Sequence, residues 1–344
     1  MPASPTPRRH GAIRRRIVGL ALLAIIVALL CLASLAIGAR ALPFSSIFDA
    51  LVHPAPDKPW DQRIITELRL PRTILAVTVG SALGVAGALV QGHTRNPLAD
   101  PGLLGISAGS ALAVVIGFTW CGFTSVTATG MMALIGALIA AAIVFAAANV
   151  VGSRSDPLTL ILAGAAFSAV FASITVAIIY TSITNLDHMR MWTVGSVAGR
   201  DGSFIFRITI ALAVFTLLAL FTAPHLNSLA LGEDIARGLG TNILLARMLG
   251  LVLIALLAGF STAAAGPIGF IGLLVPHLVR STIGTDYRWV LPASALTGAG
   301  LLLVADIIGR IIARPGEVQV GIVLAFVGAP IFIAIMMRRK VVRP

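Results

Sequence analysis

The sequence predicts an all-α integral membrane protein with about ten transmembrane helices, and three observations carry that prediction. Of the 344 residues 58% are hydrophobic and only 11% charged, more apolar material than a soluble domain of this size needs for its core. No charged residue falls between Arg16 and Arg40, or between Asp100 and Arg154. An uncharged apolar run of about 20 residues is what a helix needs to cross the hydrocarbon core, and a charge at its centre costs about 3 kcal/mol. Basic residues also collect at the two ends: Arg8, Arg9, Arg14, Arg15 and Arg16 before the first run, and Arg338, Arg339, Lys340 and Arg343 after the last.

Those clusters account for much of the net charge of +12. Because they flank apolar runs they read as topology signals rather than a phosphate-binding face, so no nucleic-acid partner is expected. The positive-inside rule places both termini in the cytoplasm, which requires an even number of crossings. The chain then divides into a basic cytoplasmic segment at 1–16, one membrane domain at 17–338 and a cytoplasmic tail at 339–344.

The first span, 17–38, follows arginines as a signal peptide would, but it is longer than a signal-peptide apolar region. Further spans are predicted at 73–91, 103–121, 131–151 and 158–181, then at 206–223, 243–264, 270–283, 290–309 and 321–337. The eighth is interrupted by Pro267, Pro276, Gly266, Gly269 and Gly272. A broken helix at membrane depth is tolerated only where protein or a water-filled cavity satisfies the freed backbone groups. Ten crossings put 39–70, 122–130, 182–207 and 311–320 outside, and the loops around Arg95, Arg154, Glu233 and Arg288 inside. Gly80 and Gly84, and Gly105 and Gly109, lie four apart, a spacing that lets helix backbones approach closely.

Candidate chemistry is sparse. Cys31 and Cys121 fall within or at the end of spans and suggest neither a disulfide nor a thiolate metal site. The run Gly105-Ile106-Ser107-Ala108-Gly109 matches G-x-S-x-G, yet that elbow needs a preceding strand and a completing acid and histidine; here it opens an apolar helix. None of the six histidines forms an HExxH pair, and His277 beside Pro276 reads as a helix-end hydrogen-bonding residue. No catalytic residue, metal site or cofactor is predicted. The only lysines, Lys58 and Lys340, follow no glycine-rich loop, so the chain has no Walker A phosphate cradle and is not itself an ATP-hydrolysing enzyme.

The longest inside loop, 226–240, contains Leu229, Leu231, Gly232, Glu233, Asp234, Ile235, Arg237, Gly238, Leu239 and Gly240. Gly232 suits a break between two short helices, Glu233 and Asp234 suit the positive N-terminus of the second, and Gly238 and Gly240 suit its end. The leucines and isoleucine exposed on such a knob suggest a docking surface.

Several segments together resemble one family. They are Leu68-Arg69-Leu70-Pro71-Arg72; the stretch from Gln91 through Asn96-Pro97-Leu98-Ala99-Asp100-Pro101-Gly102 to Gly105; the 226–240 knob; Gly266-Pro267-Ile268-Gly269-Phe270-Ile271-Gly272-Leu273-Leu274-Val275-Pro276-His277; and Asp306 to Arg310. In this order they are similar to the FecCD permeases, membrane subunits of type II ATP-binding-cassette importers for ferric siderophores, haem and vitamin B12. The knob differs from the EAA loop of type I importers.

The resemblance implies a BtuC-like bundle with short cytoplasmic coupling helices. It also implies a second permease subunit, identical or related, two cytoplasmic ATPase subunits and an extracytoplasmic substrate-binding protein. The translocation path for an iron chelate would lie between the permeases in the bacterial inner membrane. By the same resemblance Arg69, Arg72 and Arg310 receive acidic residues of the binding protein, Asn96 and Leu98 form the cytoplasmic gate, and Leu229 to Gly240 couple to the ATPase. The competing readings are interfacial snorkelling for the arginines, an i,i+4 pair for Asp306 and Arg310, and an ordinary Asn-Pro helix end for the gate. A secondary transporter would also have broken helices, but it usually carries coupling carboxylates or histidines inside its spans. An intramembrane enzyme lacks paired catalytic residues here.

Overall fold

A computed structural model of the chain describes residues 8–38, 42–53, 59–151, 157–200 and 202–338, all helix, turn or loop, with no β-strand among them. The expected inside loop around Arg154, the tail 339–344 and parts of the 39–70 segment lie outside the described residues. The helices are α1 (Arg8–Ala36), α2 (Phe44–Val52), α3 (Trp60–Arg63), α4 (Leu70–Thr94), α5 (Ile106–Trp120), α6 (Val126–Val151), α7 (Pro157–Ile179), α8 (Ile183–Thr193), α9 (Gly202–Leu220), α10 (Ala223–Ala230), α11 (Glu233–Gly238), α12 (Ile243–Ala265), α13 (Ile271–Ile283), α14 (Tyr287–Ile312) and α15 (Val320–Arg338).

Seven of these stretches are long and apolar enough to cross a membrane, and α5, α13 and the apolar part of α15 are shorter. All ten coincide with predicted spans. The second departs most from its predicted bounds. It begins at Trp60 rather than 73, because α3 runs through a π-helical turn, Ile64–Arg69, straight into α4. Pro71 has no N–H and its ring would press on the carbonyl four residues back. The wider i→i+5 turn before it, in which the Leu70 N–H reaches the Ile65 carbonyl, makes the room. The expected outside segments also carry short helices, α2 and α8, rather than loop alone.

α4 is the hub. Of its most apolar window 78% is buried inside the bundle, against 11% for α1 and α7, which therefore stand at the periphery. A helix apolar all round has to be enclosed by other helices or by lipid, and α4 is enclosed by α9, α12, α13 and α14. Its closest partner is α14. A Cβ on Gly80 would run into the Gly298 carbonyl, one on Gly84 into the Ser294 carbonyl, and one on Gly298 back into the Gly80 carbonyl. Without a hydrophobic drive between helices in lipid, such small-residue contacts supply the van der Waals packing. The two helices thus lie backbone to backbone, which fixes what meets at their ends.

The interruption predicted in the eighth span sits at 266–270, between α12 and α13. Pro276 then stands inside α13, where it cannot donate to the Gly272 carbonyl. Gln91 of α4 fills that gap: its Nε2 donates to the Gly272 and Leu273 oxygens at 3.3 and 3.2 Å. At the other side of the break the Ser196 N–H reaches the Ala265 oxygen at 2.7 Å. Protein groups therefore satisfy the opened backbone, as a lipid setting demands.

Candidate functional site

Three groups of residues stand out, one at the end of the bundle where α1 finishes and two at the opposite end. At the first, the π turn and α4 carry Arg69 and Arg72, and the last turns of α14 carry Asp306 and Arg310. The tight α4–α14 crossing brings these four together. Arg72 forks onto Asp306, Nε to Oδ1 at 3.0 Å and Nη2 to Oδ1 at 2.7 Å, and its Nη1 reaches Glu317 at 2.6 Å. Arg310 pairs with the other oxygen of Asp306. Its Nη groups also reach the Ser34 hydroxyl at 2.6 Å and the Ser34 and Ile37 carbonyls at 2.8 and 3.1 Å, while its buried Nε has no partner. Arg69 donates to the Leu35 and Ala36 carbonyls at 2.6 and 2.9 Å.

The last carbonyls of a helix have no intrahelical donor and bear the negative end of its dipole. Arg69 and Arg310 supply both the donors and the positive charge to the end of α1. Arg69, Arg72 and Arg310 are the residues expected to receive acidic groups of a binding protein, and each already has partners within the chain. Residues far apart in sequence do converge, but Arg310 is only 2% exposed and Arg69 is buried, and three positive charges face the two carboxylates of Asp306 and Glu317. The competing i,i+4 pairing of Asp306 with Arg310 is present. What opens outward is a cavity of about 360 Å³ rimmed by Trp60, Leu68, Arg72 and Glu317.

At the opposite end α4 stops at Arg95, whose φ of 50° is left-handed. The Asn96 Oδ1 accepts from the Leu98 N–H at 2.9 Å, and the Ala99 N–H returns to the Asn96 carbonyl at 3.1 Å. Asp100 caps the 3-10 turn Pro101–Leu104 through the Gly102 N–H at 2.8 Å. Burial pushes the Asp100 carboxyl above its ordinary value, and that N–H pulls it the other way. The turn is therefore held by its own side chains and leaves Leu98 exposed at its tip. The Asn-Pro helix end is present, with Leu98 exposed beside it.

The knob forms as two helices, α10 and α11, broken at Gly232, whose φ of 114° suits glycine alone. Gly240, at φ 80°, ends the second. Leu231, Ile235 and Leu239 are exposed, as expected of a docking surface. Leu229 is not: it is buried against Ala236, Ile243 and Ala246, so it holds the two helices on α12 instead of facing a partner. Glu233 likewise turns inward to Arg247 of α12 at 2.5 Å, with Arg237 pairing at 3.6 Å to Glu233 and at 3.3 Å to Asp234. Asp234, Arg237 and Gly238 remain on the open side, and no atom lies within 4 Å of where a Gly238 Cβ would stand.

Sequence reading missed the residues that join these parts. Arg95 Nη2 donates to the Leu229 carbonyl at 2.7 Å, tying the turn directly to the knob. Arg280 of α13 donates to Gln91 Oε1 at 2.6 Å and to the Tyr287 hydroxyl at 3.2 Å. Asn227 of α10 joins Asp286 at 2.7 Å and the Tyr287 N–H at 2.9 Å, seating the knob on the start of α14. Gln91, Arg95, Pro97, Leu231, Arg280 and Tyr287 line one cavity of about 560 Å³. Arg280, Tyr287 and Asn227 give no signal in the sequence beyond a polar residue near the end of an apolar span. The Gly105-to-Gly109 run meets no strand: Gly105 precedes α5, and Gly109 packs against Gly136 of α6.

The profile of the FecCD transport family matches residues 25–338. The ferric enterobactin transport system permease protein FepD of Escherichia coli is 42% identical over 322 residues, covering 94% of each chain. The hemin transport system permease protein HmuU of Yersinia pestis is 37% identical over 336 residues, covering 96% of this chain and 98% of its own. Among solved structures, one described as a metal-chelate type ABC transporter in an inward-facing conformation aligns with a TM-score of 0.82 at 28% identity. That alignment covers 93% of this chain and 98% of that one. Family profile, relatives and bundle agree over nearly the whole length, and the chain belongs to the FecCD transport family of multi-pass membrane permeases.

Proposed function

We propose that this permease forms, with a second permease subunit, the path by which a ferric siderophore crosses the bacterial inner membrane, driven by separate cytoplasmic ATPase subunits. The observation that carries the substrate class is end-to-end similarity to a permease named for ferric enterobactin, at higher identity than to one named for hemin. In this reading the termini and the α10–α11 knob are cytoplasmic, and the end where α1 finishes is extracytoplasmic.

Each site then has a mechanical part. A substrate-binding protein seats on the rim of the outer cavity, where an acidic residue competes with Glu317 for Arg72 while Arg69 and Arg310 keep α1, α4 and α14 in place. Leu98, with its counterpart on the second permease, narrows the inner mouth of the path, and an apolar constriction of that kind excludes a hydrated solute. Leu231, Ile235, Arg237 and Leu239 enter the ATPase. Movement of the knob reaches the turn through the Arg95–Leu229 bond and reaches α13 through Asn227, Tyr287 and Arg280. Coupling requires an element whose equilibrium both sites bias, and this bonded chain is a physical candidate for it.

Uptake in a strain deleted for the gene tests the substrate class. Restored accumulation of radiolabelled iron from a ferric catecholate or hydroxamate siderophore on complementation supports the reading. Restoration only with haem or with cobalamin would transfer the permease to that cargo.

A further inference from the structure

We propose that the groove between α9 and α12 binds one acyl chain of a bilayer phospholipid, in the leaflet that carries the α10–α11 knob. A cavity of about 440 Å³ opens there, walled by Phe215 and Leu218 of α9, by Phe221 just after it, and by Leu245, Leu249 and Val252 of α12. Five of these six, all but Phe215, are exposed apolar side chains at or beside helices of spanning length, so the medium at this face is lipid hydrocarbon. From Leu245 to Leu256 the α12 wall extends about 16 Å at 1.5 Å per residue. One leaflet of a bilayer contributes about 15 Å, half of the 30 Å core. The groove therefore has the length of a single lipid tail.

Its knob end is polar. Thr222, His225 and Asn242 lie at the mouth, where α9 has ended and α12 has yet to begin. Deeper in the wall stands His93 of α4, only 8% exposed, with no hydrogen-bond partner at either ring nitrogen. The ring fills the place a Cβ on Gly250 would take, so α12 is notched to admit it. A neutral imidazole carries one donor and one acceptor, and buried groups of this kind are nearly always paired. Both nitrogens are closed off within the wall, so the ring shows the groove its carbon edge, and the polar groups at the level of a lipid's ester are Thr222, His225 and Asn242 at the mouth. Leu226 of α10 also lines the cavity, so an occupied groove braces the junction from which the knob projects. This inference rests on the membrane reading of the fold and not on the cargo.

The test uses the full-length protein in vesicles of phosphatidylethanolamine and phosphatidylglycerol containing a phosphatidylethanolamine with a diazirine in one acyl chain. After irradiation, adducts mapped by mass spectrometry should concentrate on residues 215–222 and 242–256. Leu249→Trp, which fills the groove from its lipid side, should lower them about tenfold, whereas Leu29→Trp on the lipid-facing side of α1 should not. Should Leu249→Trp fail to elute as a folded species, Val252→Trp carries the same expectation. His225→Leu, which removes an exposed polar group at the mouth, should reduce co-purifying phospholipid several-fold in mild detergent, yet melt no lower than the parent once lipid is stripped away. Uniform labelling of all membrane-facing helices, labelling of the groove untouched by the tryptophan, or unchanged retention in His225→Leu would each overturn the proposal. Labelling elsewhere would still report insertion, which separates this failure from that of the membrane reading.

Discussion

Asp306 holds two guanidinium groups at once, and both have few alternatives. Removing its carboxylate leaves Arg310 charged and buried, and breaking a buried pair by deleting one partner costs about 3–5 kcal/mol. Asp306→Ala is therefore expected to lower the melting temperature of the purified permease sharply, whereas Asp306→Asn, which keeps an acceptor oxygen, should lower it less. Because the pair is only about 2% exposed, the loss should persist in high salt, unlike that of a surface ion pair. Gln91 gives the second residue-scale prediction. Gln91→Leu orphans the Gly272 carbonyl left open by Pro276 and takes an acceptor from Arg280. A buried unsatisfied group costs about 1–3 kcal/mol. Stability should fall by about that amount, and uptake assays should show a larger relative loss if α13 carries, as proposed, motion from the knob. The Arg69, Arg72 and Arg310 positions were legible by resemblance, but their partners were not. Apart from the i,i+4 pair of Asp306 with Arg310, these contacts, to Ser34, to the Leu35 to Ile37 carbonyls and from Arg72 to Asp306, form only when α1, α4 and α14 assemble.

At the scale of elements, the knob was the best read. Glycine at a φ of 114° and acidic residues at a helix start are local requirements, so Gly232, Glu233 and Asp234 declared the break and the second helix before any packing was known. Local chemistry does not say which face turns inward, and that is why Leu229 and Glu233 belong to the support of the knob while Leu231 and Ile235 stay outside. Gly238→Trp is expected to leave insertion and melting unchanged, because the space around it is open, and to weaken recovery of the ATPase in a pull-down at least tenfold. Normal recovery and normal ATP-driven uptake would move the coupling surface elsewhere. The π turn before Pro71 was hidden for a related reason: the wider hydrogen-bond register is a response to the proline ring within a continuous helix, and a hydropathy reading begins the span only after it.

At the scale of the molecule, the turn after α4 and the knob form one bonded unit through Arg95 and Leu229, while Leu98 is exposed at the tip. Cysteine at Leu98 is expected to cross-link between permeases efficiently in one nucleotide state and poorly in the other. Equal cross-linking with and without ATP in an actively transporting sample would remove Leu98 from the gate. The sequence by itself determined the membrane class, the number and order of apolar helices, the break at 266–270 and the two-helix knob. These follow from hydropathy, glycine conformation and proline chemistry, each acting within a few residues. Only the tertiary structure decided that α4 is the hub, that three arginines cap and clamp, that Gln91 repairs the α13 backbone and that His93 lies unpartnered beside an apolar groove. Those outcomes depend on which helix backbones lie in contact, and in hydrocarbon that is settled by shape and by hydrogen bonds across helices far apart in the chain.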